Sequence, residues 1–389
     1  MKKSISAIVV VVLSLVFYFA FSNFGTVLTA FRNKSEIIQD RPSEEQITLF
    51  ETKKEDKCFY YYDNLSPDEK DAYLALYYGF IEYDESIRME IQEKDMKEVF
   101  TAVLYDNPDI FWVDFKYEYM VYSDSVAFSP KYRLTESEIK TMQDSVNDKI
   151  DEIMAEVDKL DSEYEKELFI HDYIVENTEY DLSTLNNLGD TVFSVLVSGK
   201  SICEGYSRAA QVLLDKAGIS NYLVIGDTES DGEILSHMWN VVTLNGEKYH
   251  LDVTWDDLND DFDTVYFYFN VTDEYISRDH TNIKPSNNNC NSTLENYFVK
   301  ENAMVYTYKG YSYLVQQSVD ALLKDNSVEL YFANDADFQK ALKDLENDNG
   351  FFSYVNFVVN KSKRKLNKNT VDYTTVAGQN FLCIEFREG

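Results

Sequence analysis

Two β-prone segments on either side of Asn245-Gly246 constrain the fold of this chain more than any other feature of its sequence. The segments are His237–Leu244 and Glu247–Thr254. Asn-Gly between two such runs is the strongest short signal for a β-hairpin, because a two-residue type I′ turn needs positive φ at both positions. This turn pairs the last residue of the first segment with the first residue of the second, and so it fixes the register of the whole ladder.

In this register, His237 and Asp252 are diagonal neighbours on one face of the sheet, with Trp239 opposite Asp252 and Thr254 opposite His237. Diagonal neighbours have Cβ atoms about 7–8 Å apart, so a carboxylate can hold an imidazole there. A slip of one residue would send the two side chains to opposite faces. The hairpin therefore predicts a specific histidine–aspartate pair.

A third reactive side chain, Cys203, is predicted at the N-terminus of a helix that Gly218 ends. The predicted buried side of this helix consists of Tyr206, Ala210, Leu213, Leu214 and Ala217. At a helix N-terminus, unpaired backbone N–H groups and the helix dipole favour a thiolate, and the same N–H groups can hold an oxyanion. The alternative for a single cysteine at such a place is a buried structural role.

A thiol, an imidazole and an orienting carboxylate make up the Cys-His-Asp version of the nucleophilic triad. In this hypothesis His237 deprotonates Cys203 and later protonates the leaving amine, while Asp252 fixes the tautomer of the imidazole. Taken singly, His237 fits a strand histidine with a local partner, and Asp252 fits a surface acid near a turn. Their joint placement after a helix-capping cysteine favours the catalytic reading.

Three motifs resemble the core of the bacterial transglutaminase-like superfamily, in the family's order of Cys, His and Asp: Gly199–Tyr206, His237–Val241 and Tyr249–Trp255. The resemblance covers about residues 162–283, and Tyr268–His280 is similar to the tail of this domain in exported Gram-positive members. It implies a papain-like fold, in which a cysteine-bearing helix packs on an antiparallel sheet that carries the histidine and the aspartate.

The resemblance also implies roles for the three residues, with Cys203 as the nucleophile, His237 as the base and Asp252 as the residue that orients it. No residue clearly matches an oxyanion side chain of the family. Tyr180 is a candidate for that role.

The other histidines are interpreted as structural. His171 lies in a predicted helix, and His250 lies on the same sheet face as His237 but nearer the turn. His280, beside Asp279, fits a loop or a helix end, with support of the site from outside as the alternative.

Neither of two acidic segments predicts a strong calcium site. The segment 227–232 resembles a calcium loop, but Met238 stands where an EF-hand needs a bidentate glutamate. The acidic run 256–263 could bind calcium weakly and is better interpreted as a solvated loop.

The predicted fold class is α+β, with a papain-like transglutaminase core, a helical N-terminal module and a small α+β C-terminal domain. A chain of 389 residues is long enough for two or three domains. The predicted boundaries are a signal-anchor or signal peptide at 1–31, a polar stalk at 32–57, a helical and strand module at 58–133, a transglutaminase-like domain at 134–285, and the C-terminal domain at 292–389.

Individual elements are predicted from periodicity and helix-start signals. One predicted helix starts at Pro67, and the others cover 95–105, 135–160, 162–177 and 335–345. The predicted strands cover 111–113, 117–121, 306–315, 328–332 and 355–359.

The N-terminal segment predicts export. Lys2 and Lys3 precede an apolar run from Ile5 to Phe21, and about 20 apolar residues can cross a bilayer as a helix whose positive end stays in the cytoplasm. A cleaved signal peptide is the alternative. The expected location is therefore the cell membrane, with a single pass and an extracytoplasmic catalytic part, or the exterior if the segment is cleaved.

Charge and cysteine usage narrow the function. The net charge of −33 repels a phosphate backbone, so nucleic acid is not an expected partner. The four cysteines show neither CxxC pairing nor zinc spacing, and no metal or cofactor is expected.

The first functional hypothesis is an enzyme that acts through a thioester on amide bonds of proteins or cell-wall peptides, by hydrolysis, deamidation or cross-linking. The alternative is a non-catalytic surface module that uses a papain-like fold to bind a partner.

Overall fold

The structure is a computed structural model that describes residues 26–27, 42–122, 124–186, 188–230, 233–257, 264–322, 327–347, 350–366, 371–375 and 379–386. The chain divides into two compact units, and the boundary lies between Ser292 and Thr293. The predicted signal-anchor lies outside the described residues, apart from Thr26–Val27. Within the described residues, no helix combines the length and the apolar character that a membrane crossing requires.

The helices of the first unit begin at polar capping residues. Ser66, Thr135 and Ser162 each form a capping box with the glutamate three residues later. The described helices are α1 (Glu44–Asp56), α2 (Tyr60–Asp63), α3 (Pro67–Ile81), α4 (Glu93–Asp106), α5 (Glu136–Val157), α6 (Glu163–Asn177), α7 (Cys203–Lys216) and α8 (Asp273–Ile276). The helices predicted in this part of the chain are confirmed.

Helix α1 lies within the segment 32–57 that the sequence analysis interprets as a stalk. Its Phe50 is fully buried. The ring of Phe50 contacts four aromatic rings at centroid distances of 4.8 to 5.8 Å, those of Phe59, Tyr62, Tyr73 and Tyr77. Residues 44–56 are therefore a packed helix and part of the first unit.

The first sheet has the strand order β1-β3-β4-β2. Its strands are β1 (Thr26–Val27), β2 (Ile87–Met89), β3 (Val113–Val121) and β4 (Val126–Tyr132). Phe128 of β4 packs against Phe80 and Phe100, which lie on α3 and α4. The predicted module 58–133 thus contains helices and strands as expected, and it belongs to the same compact unit as α7.

The second sheet is antiparallel and carries the predicted hairpin. The short strands β5 (Glu179–Tyr180) and β6 (Lys200–Ser201) form a separate parallel pair. The sheet itself has the order β10-β7-β8-β9 and consists of β7 (Asn221–Ser230), β8 (Glu233–Leu244), β9 (Glu247–Leu251) and β10 (His280–Lys284).

The predicted register of the hairpin is confirmed over the ladder that runs from Leu244–Glu247 to Asn240–Leu251. Strand β9 ends at Leu251, so the predicted pairs Trp239–Asp252 and His237–Thr254 are not part of this ladder. Leu244 pairs with Glu247 and Val241 pairs with His250. The turn residues Asn245 and Gly246 have φ values of 51° and 83°, the positive φ at both positions that a type I′ turn requires.

The second unit is α+β, as predicted, and has a sheet of order β11-β12-β14-β13. Its described elements are α9 (Tyr297–Lys300), β11 (Met304–Val305), α10 (Tyr311–Asp320), β12 (Ser327–Phe332), α11 (Asp335–Glu346), α12 (Gly350–Ser362), β13 (Val371–Thr375) and β14 (Phe381–Phe386). The strand predicted at 328–332 and the helix predicted at 335–345 are confirmed.

Two strand predictions in this unit are wrong. The segment 306–315 contains the start of α10, and 355–359 lies inside α12. Both segments are rich in valine and aromatic residues, which favour strands. The buried residues of α12 are Tyr354, Val355 and Val358, which share one helical face, and short apolar runs do not distinguish a strand from a buried helix.

Candidate active site

Cys203 is the first residue of α7, where the sequence places it. The chain reaches it through a π-helical turn, Ser194–Ser198, that Gly199 ends in the left-handed conformation at a φ of 68°. Strand β6 and the N-cap Ile202 then lead directly into the helix. The cysteine therefore lies where backbone N–H groups of a helix are unpaired.

The first turn of α7 approaches its surroundings closely because position 205 is a glycine. A Cβ atom on Gly205 would lie 1.9 Å from the Ser201 Oγ and 2.8 Å from the Gly189 carbonyl oxygen. The Ser201 hydroxyl itself donates to that carbonyl at 2.7 Å. Gly205 thus allows the cysteine-bearing turn to seat against this polar cluster.

Polar contacts join α7 to the strand that carries His237. The Ser207 hydroxyl lies 2.7 Å from both the Cys203 and the Met238 carbonyl oxygens. The Asn240 side-chain amide donates to the Ser207 carbonyl at 3.0 Å. The helix and the sheet are therefore held together beside the cysteine.

The predicted contact between His237 and Asp252 is confirmed. The His237 Nε2 lies 2.6 Å from the Asp252 Oδ2, and both side chains are buried. Because a carboxylate only accepts, Nε2 carries the proton, and Nδ1 is the nitrogen left to receive a proton. The Trp255 backbone N–H donates to the other Asp252 oxygen at 3.2 Å. The catalytic roles of these residues stay predictions.

Asp252 is an ionised acceptor. Burial by itself would raise the pKa of its carboxyl group, but the neighbouring His237, together with hydrogen bonds from His237 and His280, holds that pKa well below its usual range. A buried carboxylate with this charge stabilises an imidazolium on the adjacent ring, which is the function of the acid in a triad.

Cys203 is a thiol in this closed arrangement. Burial is the largest influence and raises the pKa of the thiol, and the adjacent Glu204 raises it further. The N–H groups of Met238 and Glu204 act in the opposite direction without cancelling this shift. Its exposure is 1%. Burial thus outweighs the helix N-terminus, which the sequence analysis expects to favour a thiolate.

Tyr180 lies beside Cys203 and, together with Leu182, packs against the buried pair Ile202 and Cys203. Its buried hydroxyl has no hydrogen-bond partner among the described residues, although the oxygen approaches the Cys203 backbone N–H. Burial raises the pKa of this phenol, so it keeps its proton and remains a donor. The candidate that the sequence suggests for an oxyanion side chain is therefore next to the cysteine.

His280 belongs to the site, although the sequence analysis interprets it as a loop or helix-end residue. Its Nε2 lies 3.2 Å from the same Asp252 oxygen that His237 binds, and its Nδ1 lies 2.6 Å from Asp279. His280 is the first residue of β10, which pairs with β7. The Asp279-His280 pair is the only signal in the sequence, and it does not name Asp252 as the partner.

Asp256 and Asp257 depart from the predicted solvated loop. Asp256 is fully buried and binds the His171 Nε2 at 3.2 Å, while Asp257 accepts from the Tyr206 hydroxyl at 2.5 Å. His171 also binds Asp172 at 2.9 Å, and these two hydrogen bonds overcome burial and raise its pKa to about 9. These residues anchor the chain after Asp252; residues 258–263 lie outside the described part.

A second Cys/His/Asp cluster, made of His250, Asp273 and Cys290, lacks a free base. The Trp239 indole N–H donates to the His250 Nδ1 at 3.0 Å, so the ring proton must be on Nε2, which lies 2.9 Å from Asp273. Neither ring nitrogen can accept a thiol proton or a metal ion in this arrangement. This cluster has the same residue types as the Cys203 site, but the tautomer of His250 leaves no nitrogen free, unlike that of His237.

The described residues offer one other group with metal-ligand spacing, His237, Asp252 and His280. Their close ring nitrogens both face the same carboxylate oxygen, as donors. This arrangement satisfies the carboxylate by hydrogen bonds and is not preorganised for a cation.

Comparison with known proteins finds a similarity in the central part of the chain. Residues 151–253 match the family model of the transglutaminase-like superfamily, and this range includes Cys203, His237 and Asp252. The chain therefore contains a transglutaminase-like core of α+β class. No curated protein matches the chain.

Solved structures with partial similarity include a crystal structure of a TGase, at 15% identity and a TM-score of 0.27, over 46% of this chain and 52% of that protein. A candidate cysteine protease from Cytophaga hutchinsonii matches at 15% identity and a TM-score of 0.24, over 33% of this chain and 52% of that protein. A candidate protease from Parabacteroides distasonis matches at 14% identity and a TM-score of 0.23, over 38% of this chain and 37% of that protein. The matches thus span about half of the first two proteins.

Proposed function

We propose that this protein is a cysteine acyl-transfer enzyme that acts on amide bonds of proteins or peptides through a thioester on Cys203. The observation that carries the proposal is the buried hydrogen bond from His237 to Asp252, on the strand that is joined to the N-terminus of the Cys203 helix. The bond occupies Nε2 and leaves Nδ1 as the base. The transglutaminase-like match over 151–253 supports the same chemistry.

In the proposed reaction, the Cys203 sulfur attacks the amide carbonyl while His237 takes the thiol proton. The Cys203 backbone N–H and the Tyr180 hydroxyl are the candidate donors to the oxyanion. The C–N bond then breaks, and His237 gives its proton to the departing amine. Water or a second amine next attacks the thioester, loses a proton to His237, and releases the thiol, which regains that proton.

The choice between hydrolysis, deamidation and cross-linking depends on which acceptor reaches the thioester. Cys203 is almost fully covered, with Tyr180 and Leu182 packed against it, so a substrate must displace part of this cover. The apolar N-terminal run supports an extracytoplasmic location, and surface proteins or cell-wall peptides are the substrates we propose on that basis.

The same cover favours the second candidate, a non-catalytic binding module. A cysteine that is 1% exposed and whose pKa burial raises is what a structural residue would show. This candidate and the enzyme differ in one measurable property, the dependence of Cys203 reactivity on His237.

The first prediction concerns alkylation of the four cysteines in the full-length chain by iodoacetamide, followed by peptide mapping between about pH 5 and 9. We expect Cys203 to react faster than the equally buried Cys290, and His237→Ala to slow the reaction at Cys203 roughly 100-fold, because the base is lost.

The matched control is His250→Gln. His250 has both ring nitrogens occupied, so the reactivity of Cys203 and Cys290 should not change. A Cys203 that reacts no faster than Cys290, with or without His237, would leave the binding module as the better description.

A further inference from the structure

His280 completes the coordination of Asp252 by hydrogen bonds. Its ring lies with a centroid 5.4 Å from the ring of His237, and both histidines point an Nε2 at one oxygen of Asp252. The exposure of His280 is 1%. Asp252 is therefore held from two sides by imidazoles, only one of which the proposed mechanism uses.

The protonation state of His280 follows from its partners. Nε2 faces the Asp252 carboxylate and Nδ1 faces the Asp279 carboxylate, at 3.2 and 2.6 Å. Since carboxylates only accept, both ring nitrogens must donate, and the ring is an imidazolium. Burial opposes the charge, but the hydrogen bonds that the ring donates to the two carboxylates prevail and raise the pKa of His280.

The other ionisable groups around His280 leave this assignment intact. Tyr268 packs on the ring and donates its hydroxyl to Asp279 at 2.5 Å, which orders that carboxylate. His250 interacts electrostatically with His280 and carries one ring proton. Trp239 and Trp255 cover the remaining ring surface and carry no charge.

We propose that His280, held as an imidazolium between Asp252 and Asp279, is a positioning residue that fixes the Asp252 carboxylate and shares its negative charge with His237. The proposal rests on the proposed function, because it assigns His237 as the base. A second cation on the shared oxygen weakens the attraction of Asp252 for a proton on His237.

Removal of the positive charge at His280 should therefore shift the pH midpoint of His237 protonation in one direction. The loss of a merely structural residue would not predict that direction. In His280→Gln the amide can still donate to Asp252, but the charge is gone. We expect the pH midpoint of His237 protonation and the acid limb of Cys203 alkylation to move up together by about one pH unit. This tuning is present at low pH and is lost as pH rises through the raised pKa of His280.

The test is a pH titration of ring ¹⁵N signals in the full-length chain, labelled at its four histidines. Single substitutions assign the four sets of signals. At neutral pH, His280 should show two protonated ring nitrogens and His237 one. His250→Gln is the matched control: the same replacement on the same sheet should leave the His237 midpoint unchanged, because His250 binds Asp273 and not Asp252.

Asp279→Asn is the second variant, and it remains informative if His280→Gln does not fold. Loss of this anion should lower the pH at which His280 gives up its second proton. A neutral His280 in the wild type, or an unchanged His237 midpoint in folded His280→Gln, would overturn the proposal. Slow, His237-independent alkylation of Cys203 would instead count against the proposed function, while the ¹⁵N signals still decide the state of His280.

Discussion

At the scale of single residues, the tautomer of a histidine separates a candidate base from a structural ring. His237 and His250 lie on the same sheet face, and each binds an aspartate. His237 binds its aspartate through Nε2 and keeps Nδ1 for a proton, whereas the Trp239 N–H occupies the Nδ1 of His250. Residue type therefore identifies neither site, and one hydrogen bond from an indole makes the difference.

A residue-scale prediction concerns the Tyr180 hydroxyl. In Tyr180→Phe, acylation of Cys203 by a p-nitrophenyl ester should slow roughly 100-fold, because an oxyanion donor is lost. Alkylation of Cys203 by iodoacetamide should change little, since that reaction forms no oxyanion.

Stopped-flow release of p-nitrophenol and peptide mapping measure the two rates on one preparation of Tyr180→Phe. Leu182→Ala is the control, because it also removes part of the cover over Cys203 but takes away no donor. Equal slowing of both reactions in Tyr180→Phe would mean that the phenol acts only by packing.

At the scale of elements, the site depends on how closely α7 approaches the loop before it. Gly205 stands where a Cβ would collide with Ser201 and with the Gly189 backbone, so no side chain fits there without displacement of the helix. The sheet side of the site is fixed independently by the Asn245-Gly246 turn. Helix position and strand register thus have separate local causes.

An element-scale prediction follows for Gly205→Ala. The added methyl group should destabilise the protein by about 1–3 kcal/mol, as overpacking does in a filled interior. It should also slow Cys203 alkylation, because the first turn of α7 must move. Thermal unfolding and peptide mapping measure the two effects.

Gly79→Ala is the matched control for this variant. A Cβ there would meet the flexible Ile87 side chain at 2.5 Å, and Gly79 lies on α3, away from α7. Stability should fall while Cys203 alkylation stays unchanged. If Gly205→Ala keeps both wild-type stability and wild-type alkylation, the close approach has no functional importance.

At the scale of the whole molecule, the buried ionisable groups of the first unit mostly hold protons more tightly than exposed groups do. Burial raises the pKa of Asp106 and of Asp215 to about 7. Burial, and then the nearby Asp190, raises that of Glu204 to about 8. His171 reaches about 9 because its two aspartate partners outweigh burial. All four groups thus shift in the same direction.

The whole-molecule prediction is a loss of stability with rising pH. A raised pKa in the folded state contributes stability that is present below the unfolded value and is lost as pH rises through the folded value. The midpoint of thermal unfolding should therefore fall from pH 5 to pH 9, by about 3 °C or more, since 1 kcal/mol corresponds to about 2–4 °C in a domain of this size.

Asp215→Asn should reduce the decline of the unfolding midpoint below about pH 7. The amide oxygen introduced at this position can still accept the hydrogen bond from Asn221, but the amide does not titrate. The exposed Asp148→Asn is its control and should leave the decline unchanged. A midpoint that stays constant or rises over this pH range would contradict the shifts of the buried groups.

The sequence by itself determines those parts of the fold whose causes lie within a few residues. The Asn245-Gly246 turn specifies the ladder, and His237 and Asp252 meet just beyond its last pair, Asn240 with Leu251. The helix-start signal at Ser66-Pro67 specifies where α3 begins, and periodicity specifies the helices over 135–160 and 162–177. Turn geometry, capping and periodicity are local, so they can be read without knowledge of the packing.

The tertiary structure decides what depends on residues far apart in the chain. His280 reaches Asp252 only because β10 pairs with β7, and no local signal sets that pairing. Burial converts the predicted thiolate of Cys203 into a thiol, and packing turns a strand-prone segment into α12. Desolvation and long-range pairing arise from the assembled core, and for that reason the sequence names the three candidate catalytic residues but not the environment that tunes them.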